Sequence, residues 1–187
     1  MSVIKKSNLR KIISKDIDEI INYINNKETA YYNGLPFRYF SMEEITETFV
    51  NIQNDKLEED YLAFLDEKER VTGMVGYTLK KPILTGAEVY LRVLDTESKD
   101  IISDTADAIM YLCEYAFYDL GYKRLTLPLA GQLVNLCPRL EELGFVQEAI
   151  LREERYVGGK YIDSIWMGLL IEEFRGQSHC EGRVSRK

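Results

Sequence analysis

The chain has 187 residues, is 45% apolar and 29% charged, and carries a net charge of −7. That size and balance fit one globular domain with a sizeable core. The acidic surplus excludes nucleic acid as the main partner, because phosphate binding needs a basic surface, and no apolar run reaches the roughly 18–20 residues of a membrane span.

Met1-Ser-Val-Ile-Lys-Lys has charge but no apolar stretch after it, so no signal peptide is expected and the protein is read as cytoplasmic. Leu9 to Ile13 reads as a first strand. Ser14 is placed to cap a helix with Asp16 in its first turn, and Ile17, Ile20, Ile21 and Ile24 mark its buried face. Residues 25–40 read as irregular and aromatic, with Tyr31, Tyr32, Phe37, Tyr39 and Phe40 broken by Gly34 and Pro36. Ser41 and Glu44 have capping-box spacing, and Ile45, Phe49 and Ile52 form the apolar face of a second helix.

After a polar loop over 53–60, Tyr61–Leu65 and Arg70–Leu79 read as two strands around a charged turn, and Ala87–Leu94 as a third. Ser103 is expected to cap a long helix with Ala106, Ile109, Met110, Cys113, Ala116, Phe117 and Leu120 inward, stopping at Gly121. Lys123–Leu129 is the next strand. Leu133, Leu136, Leu140 and Leu143 mark a short helix, kinked by Pro138 and ended by Gly144. Two closing strands turn at Gly158-Gly159, where both residues tolerate positive φ. Residues 1–174 thus form one domain, and 175–187, polar and without periodicity, read as a disordered tail. Cys113, Cys137 and Cys180 form neither a zinc pattern nor a disulfide framework, so no metal is expected; His179 is the only histidine, which excludes a histidine-dependent triad.

The last third of the chain reads Leu140-Glu-Glu-Leu-Gly144-Phe145, Leu151-Arg-Glu-Glu-Arg155, Gly158-Gly-Lys-Tyr-Ile-Asp163 and Trp166-Met-Gly-Leu-Leu170. This order resembles the GNAT acetyltransferases, in particular the branch that acetylates ribosomal-protein N-termini. The resemblance covers about residues 8–174. It implies an α+β fold: a mixed, mostly antiparallel seven-stranded sheet with helices on both faces. It implies acetyl-CoA as donor and a small-molecule or peptide amine as acceptor, and it leaves a homodimer open.

Residue by residue, the resemblance places the coenzyme's pantetheine arm along the backbone at Val93 and Leu94. It places the diphosphate at a loop of the form Gln/Arg-x-x-Gly-x-Gly/Ala, which here reads Asp100-Ile-Ile-Ser103-Asp104-Thr105. Side chains at Ser103, Asp104 and Thr105 replace the small positions, and Glu97, Asp100, Asp104 and Asp107 crowd the same helix start, against an anion. The coenzyme-contacting Asn of the family falls on Leu133 and its thiolate-protonating Tyr on Leu140; a leucine offers no proton. Asn135 or Cys137 are the substitutes if the helix is rewound. Glu88 stands where many members keep the carboxylate that takes the amine proton, and an exposed strand-end Glu is the plain alternative. Tyr31, Tyr32, Phe37 and Tyr39 occupy the acceptor segment, where aromatic faces suit a flat or cationic group; loop packing is the plain alternative. Two functions follow: an N-acyltransferase transferring acetyl from acetyl-CoA to a primary amine, or a GNAT-shaped module that has lost coenzyme and binds a small molecule or protein.

Overall fold

The computed structural model describes residues 9–53, 59–79 and 86–175. The strands are β1 (Leu9–Lys11), β2 (Glu59–Leu65), β3 (Val71–Leu79), β4 (Gly86–Val93), β5 (Arg124–Leu129), β6 (Val146–Val157) and β7 (Lys160–Leu170). They form one seven-stranded sheet in the order β1-β2-β3-β4-β5-β7-β6. Every pairing is antiparallel except β4 with β5. Helices α1 (Ile17–Ile24), α2 (Lys27–Tyr32) and α3 (Met42–Gln53) precede β2; α4 (Ile101–Glu114) and α5 (Cys137–Glu142) flank β5. The architecture is α+β, as expected.

Alternation along the strands gives the sheet two apolar faces. Ala87, Val89, Leu91 and Val93 of β4 join Ile109, Leu112, Phe117 and Leu140 in one core. Met74 and Leu94 join Ile20, Ile21, Ile45 and Phe49 in the other, so α1 and α3 cover one face and α4 and α5 the opposite one.

The first helical segment departs from the simple cap expected at Ser14. A 3₁₀ turn, Ser14–Asp16, leads into α1. Asp16 is buried and takes a two-pronged contact from Arg10, at 2.6 and 2.8 Å, together with the Ile13 N–H at 2.9 Å. Burial alone would raise its carboxyl, but Arg10 and the Ile13 amide hold it below the ordinary range. Ser41 and Glu44 do form the reciprocal capping box, Glu44 N–H to Ser41 Oγ at 3.2 Å and Ser41 N–H to Glu44 Oε2 at 2.8 Å. The side chain of Ile52 lies outside the described residues, as does the tail from 176 onward.

Residues 25–40 are not wholly irregular. Asn26 caps α2, its Oδ1 accepting from the N–H groups of Glu28 and Thr29 at 2.8 and 3.3 Å. The long helix starts two residues before Ser103, at Ile101, and ends in a π turn, Tyr115–Asp119, ahead of Gly121. The segment expected as one kinked helix is instead a 3₁₀ turn, Gly131–Leu136, followed by α5. Pro138 therefore sits in the first turn of α5, where its missing N–H costs no helical bond. The β6–β7 hairpin turns at Gly158 and Gly159, φ 61° and 84°, with Val157 opposite Lys160.

Candidate active site

The parallel pair β4–β5 is in register only from Gly86↔Arg124 to Glu88↔Thr126. Beyond Glu88 the edge of β4 that faces β5 is no longer paired with it. Two features of residues 27–40 fill the space beside this divergence.

The first is Asn33, buried at the end of α2. Its side-chain amide bridges to Val93 as a strand would: Oδ1 accepts from Val93 N–H at 2.8 Å, and Nδ2 donates to Val93 C=O at 2.7 Å and to Thr29 C=O at 2.8 Å. Gly34 follows with φ 64° and packs against the chain after β5; a Cβ there would lie 2.6 Å from Ala130 Cβ. Asn33 and Gly34 thus stand between the diverging ends of β4 and β5. Both hydrogen-bonding groups of Val93, the edge assigned to pantetheine, are engaged by Asn33, so a ligand pairing there has to displace that amide.

The second feature is a cavity of about 370 Å³ on the α1–α3 face of the sheet. Its walls are mainly apolar, from α1, α3, Leu35, Pro36, Phe40, Met74 and Leu94, and its polar wall carries Arg38, Thr48, Tyr61, Tyr90 and Arg92. The four aromatic residues expected to receive substrate do not line it. Helix α2 turns Thr29, Ala30 and Asn33 toward the cavity and Tyr31 and Tyr32 away. From Pro36 to Phe40 the chain alternates: Pro36, Arg38 and Phe40 point in, while Phe37 and Tyr39 point out and are 40% and 74% exposed. Tyr31 instead faces the β6–β7 turn, within 3.2 Å of where a Cβ on Gly158 would be, and Tyr32 packs on the α4-side core.

Glu88, Tyr90 and Arg92, like Gly86, are half-buried positions of β4, and the alternating pattern puts them on one face. Tyr90 and Arg92 line the cavity, and Glu88 lies further back along the same face, outside its walls. Tyr61 and Tyr90 meet edge to face, with ring centroids 5.0 Å apart. Leu94 is buried, and its side chain forms part of the cavity wall. Sequence reading missed Asn33, Arg38, Tyr90 and Arg92; the period-two pattern of β4 through Glu88 was the signal available for the last two.

Ser103 is half-buried in the first turn of α4, followed by buried Asp104 and Thr105. Asp104 Oδ1 and Thr105 Oγ1 are buried without a hydrogen-bond partner among the described residues. Burial, then the nearby carboxylates of Asp100, Asp107 and Glu67, push Asp104 up to about 6. Leu133 and Leu140 are buried in the core, 4% and 0% exposed, and act only as packing. The rewound segment leaves Asn135 exposed, its Nδ2 on Gln132 Oε1 at 3.1 Å. Burial, with help from Glu141, raises the Cys137 thiol. At this helix start Lys99 is exposed among Glu97, Asp100, Asp104 and Asp107, and the buried Asp104 carboxyl opposes a diphosphate. Among the described residues no cluster of His, Cys, Asp and Glu is arranged to hold a metal ion, and no helix is long and apolar enough to cross a membrane.

Asp104 yields a pH-dependent prediction. Its carboxyl is held above its ordinary value, so the folded state binds more protons than the unfolded one between about pH 4 and 6. The contribution is favourable below that window and is lost as pH rises through about 6. Asp104→Asn is therefore expected to stabilise the protein at pH 7.5 by on the order of 1–2 kcal/mol, roughly 3–6 °C in melting temperature. At pH 4 the two proteins should melt together. An equal gain at both pH values would show that the ionised carboxylate is not the source.

The family model for the acetyltransferase (GNAT) domain matches residues 9–166. The chain is 24% identical over 171 residues to "Uncharacterized N-acetyltransferase p20" of Bacillus licheniformis, covering 90% of this chain and 94% of that one. Among solved structures it is similar to the spermidine N-acetyltransferase of Vibrio cholerae in complex with CoA and spermine, with TM-score 0.75, 24% identity, and coverage of 90% and 98% of the two chains. It is also similar to a probable acetyltransferase, with TM-score 0.72, 23% identity, and coverage of 89% and 93%. These matches do not single out the branch acting on ribosomal-protein N-termini. The family match spans β1 to β7 and agrees with the sheet order and the divergence of β4 from β5: the chain belongs to the GNAT acetyltransferase family.

Proposed function

We propose that the protein is an N-acyltransferase that moves an acetyl group from acetyl-CoA to the primary amine of a small molecule. The observation that carries this is the cavity of about 370 Å³ opening on the face of β4 beside its divergence from β5. Its size suits a metabolite. The family membership and the likeness to a CoA-bound polyamine acetyltransferase support the donor and the amine. In this reading the cavity holds the body of the acceptor. Glu88, on the same face as Tyr90 and Arg92, takes the amine proton, directly or through a water. No proton-donating role falls to Leu140.

The test is product formation. Incubation with millimolar acetyl-CoA and a panel of primary amines should give N-acetylated product, seen by mass spectrometry, above a protein-free control; no product across the panel overturns the reading. The second reading, a GNAT-shaped module that binds its small molecule without coenzyme, has no support from the family membership or the solved structures and would rest only on the Asn33 amide on Val93 and the carboxyl of Asp104 at the helix start. Calorimetry separates them. From the poor fit of the helix start to a diphosphate, acetyl-CoA alone is expected to bind more weakly than about 100 μM, or about −5.5 kcal/mol. A dissociation constant in the low micromolar range would contradict this and remove the case for the second reading.

A further inference from the structure

The charged side chains on the cavity wall are all of one sign. The carboxylates of this acidic chain are absent from the wall: none of the described residues lining the cavity is Asp or Glu. Its charged residues are Arg38 and Arg92. Arg92 is half-buried on β4, its Nε donating to Tyr90 Oη at 2.6 Å. Its guanidinium lies over the Tyr90 ring, 5.3 Å from the centroid. Among the described residues no carboxylate pairs with it. Arg38 stacks on Phe40, 4.0 Å from the ring centroid. Its one ion pair among the described residues, with Glu44, is long and exposed at 3.6 Å.

A half-buried guanidinium held by one phenol keeps its two terminal nitrogens for something else. Burying it without an anion is costly, and its planar fork matches the two oxygens of a carboxylate. Most of the remaining wall is aliphatic and aromatic, Ile24, Leu35, Ile45, Phe49, Met74 and Leu94 among it, with neutral polar groups such as Thr48 and Tyr61. A polyamine, cationic along its length, would meet on the cavity wall two arginines and much apolar surface, with no carboxylate among its described residues; the Glu88 that receives the reacting amine's proton lies beyond that wall. Resting on the transferase reading above, we infer that the acceptor is a primary amine with an apolar body and a carboxylate, the carboxylate held by Arg92 with Arg38 nearby. The substrate class therefore differs from that of the spermidine acetyltransferases this chain resembles in fold.

The experiment compares amines that differ only in the carboxylate: phenylalanine against 2-phenylethylamine, leucine against 3-methylbutylamine, with spermidine as the polycation. Binding is read by calorimetry and melting temperature without donor, and transfer by mass spectrometry with acetyl-CoA. The carboxylate is expected to tighten binding at least about tenfold in one or both pairs, with spermidine weaker than either amino acid. Arg92→Met should abolish the difference between pair members, and Arg92→Lys should keep part of it; circular dichroism confirms that both variants are folded. Equal binding within each pair, tighter binding of spermidine, no binding by either amino acid, or an unchanged preference in folded Arg92→Met would each overturn the inference. Amino-acid binding that depends on Arg92, with no acetyl transfer, would instead sink the transferase reading and leave the carboxylate site standing.

Discussion

Gly144→Val is expected to lower the melting temperature by roughly 6–12 °C, a loss of about 3 kcal/mol or more. Two causes act together. Gly144 has φ 103°, a conformation that a β-branched residue does not adopt without strain. A Cβ there would also lie 2.0 Å from the backbone oxygen of Glu173 and 2.8 Å from its carbonyl carbon. The atom in the way is backbone, so the segment after β7 has to move. That segment is tied to the same helix end, Arg175 N–H donating to Leu143 C=O at 2.9 Å. It also carries Phe174, which packs on Phe117 at 5.5 Å between centroids. Displacing Glu173 therefore pulls an aromatic ring from the α4-side core. Gly144→Ala should cost less than Val but still show the loss, because both causes begin at the Cβ. A thermal melt of the valine variant within a degree or two of the parent would mean that the 171–175 segment yields freely.

Asn33→Ala should destabilise the protein by about 2–4 kcal/mol, because it strands the buried N–H and C=O of Val93, while the Thr29 carbonyl keeps only its bond from the residue 33 N–H. That corresponds to a fall of roughly 4–16 °C in melting temperature. The same substitution exposes the edge of β4 assigned to pantetheine. Acetyl-CoA affinity, measured by calorimetry below the melting transition, is therefore expected to hold or rise while stability falls. A purely structural role for Asn33 would lower both together. Opposed changes in the two measurements would place the donor at Val93; parallel losses would count against donor pairing on this edge.

Much of the fold was written in local pattern. Alternation set the strands, helical spacing set α1, α3 and α4, and Ser41 with Glu44 announced the cap they form. Gly144 and Gly158-Gly159 marked a helix stop and a hairpin turn, because the tolerance for the positive φ they adopt is a property of glycine itself. These signals depend on neighbours one to four residues apart, which is why they survive in a single sequence. The stretch that lines the cavity was also legible as a segment, but not in its residues. Whether Tyr31 or Asn33 faces the cavity depends on the short helix that Asn26 nucleates, and that helix shifts the inward set from the aromatic positions to Thr29, Ala30 and Asn33.

By itself, the sequence determined the order of elements, the two-faced sheet and the acidic start of α4. The tertiary structure decided what those parts meet. It set Asn33 on a strand 60 residues away and drew the Asp104 carboxyl into a site where burial and three acidic neighbours hold its proton to about pH 6. It left Arg92 at a cavity wall without a carboxylate. The physical reason is the same in each case. A side chain's identity fixes which hydrogen bonds and charges it offers, but whether those are met, and by what, depends on packing between segments that no local period records.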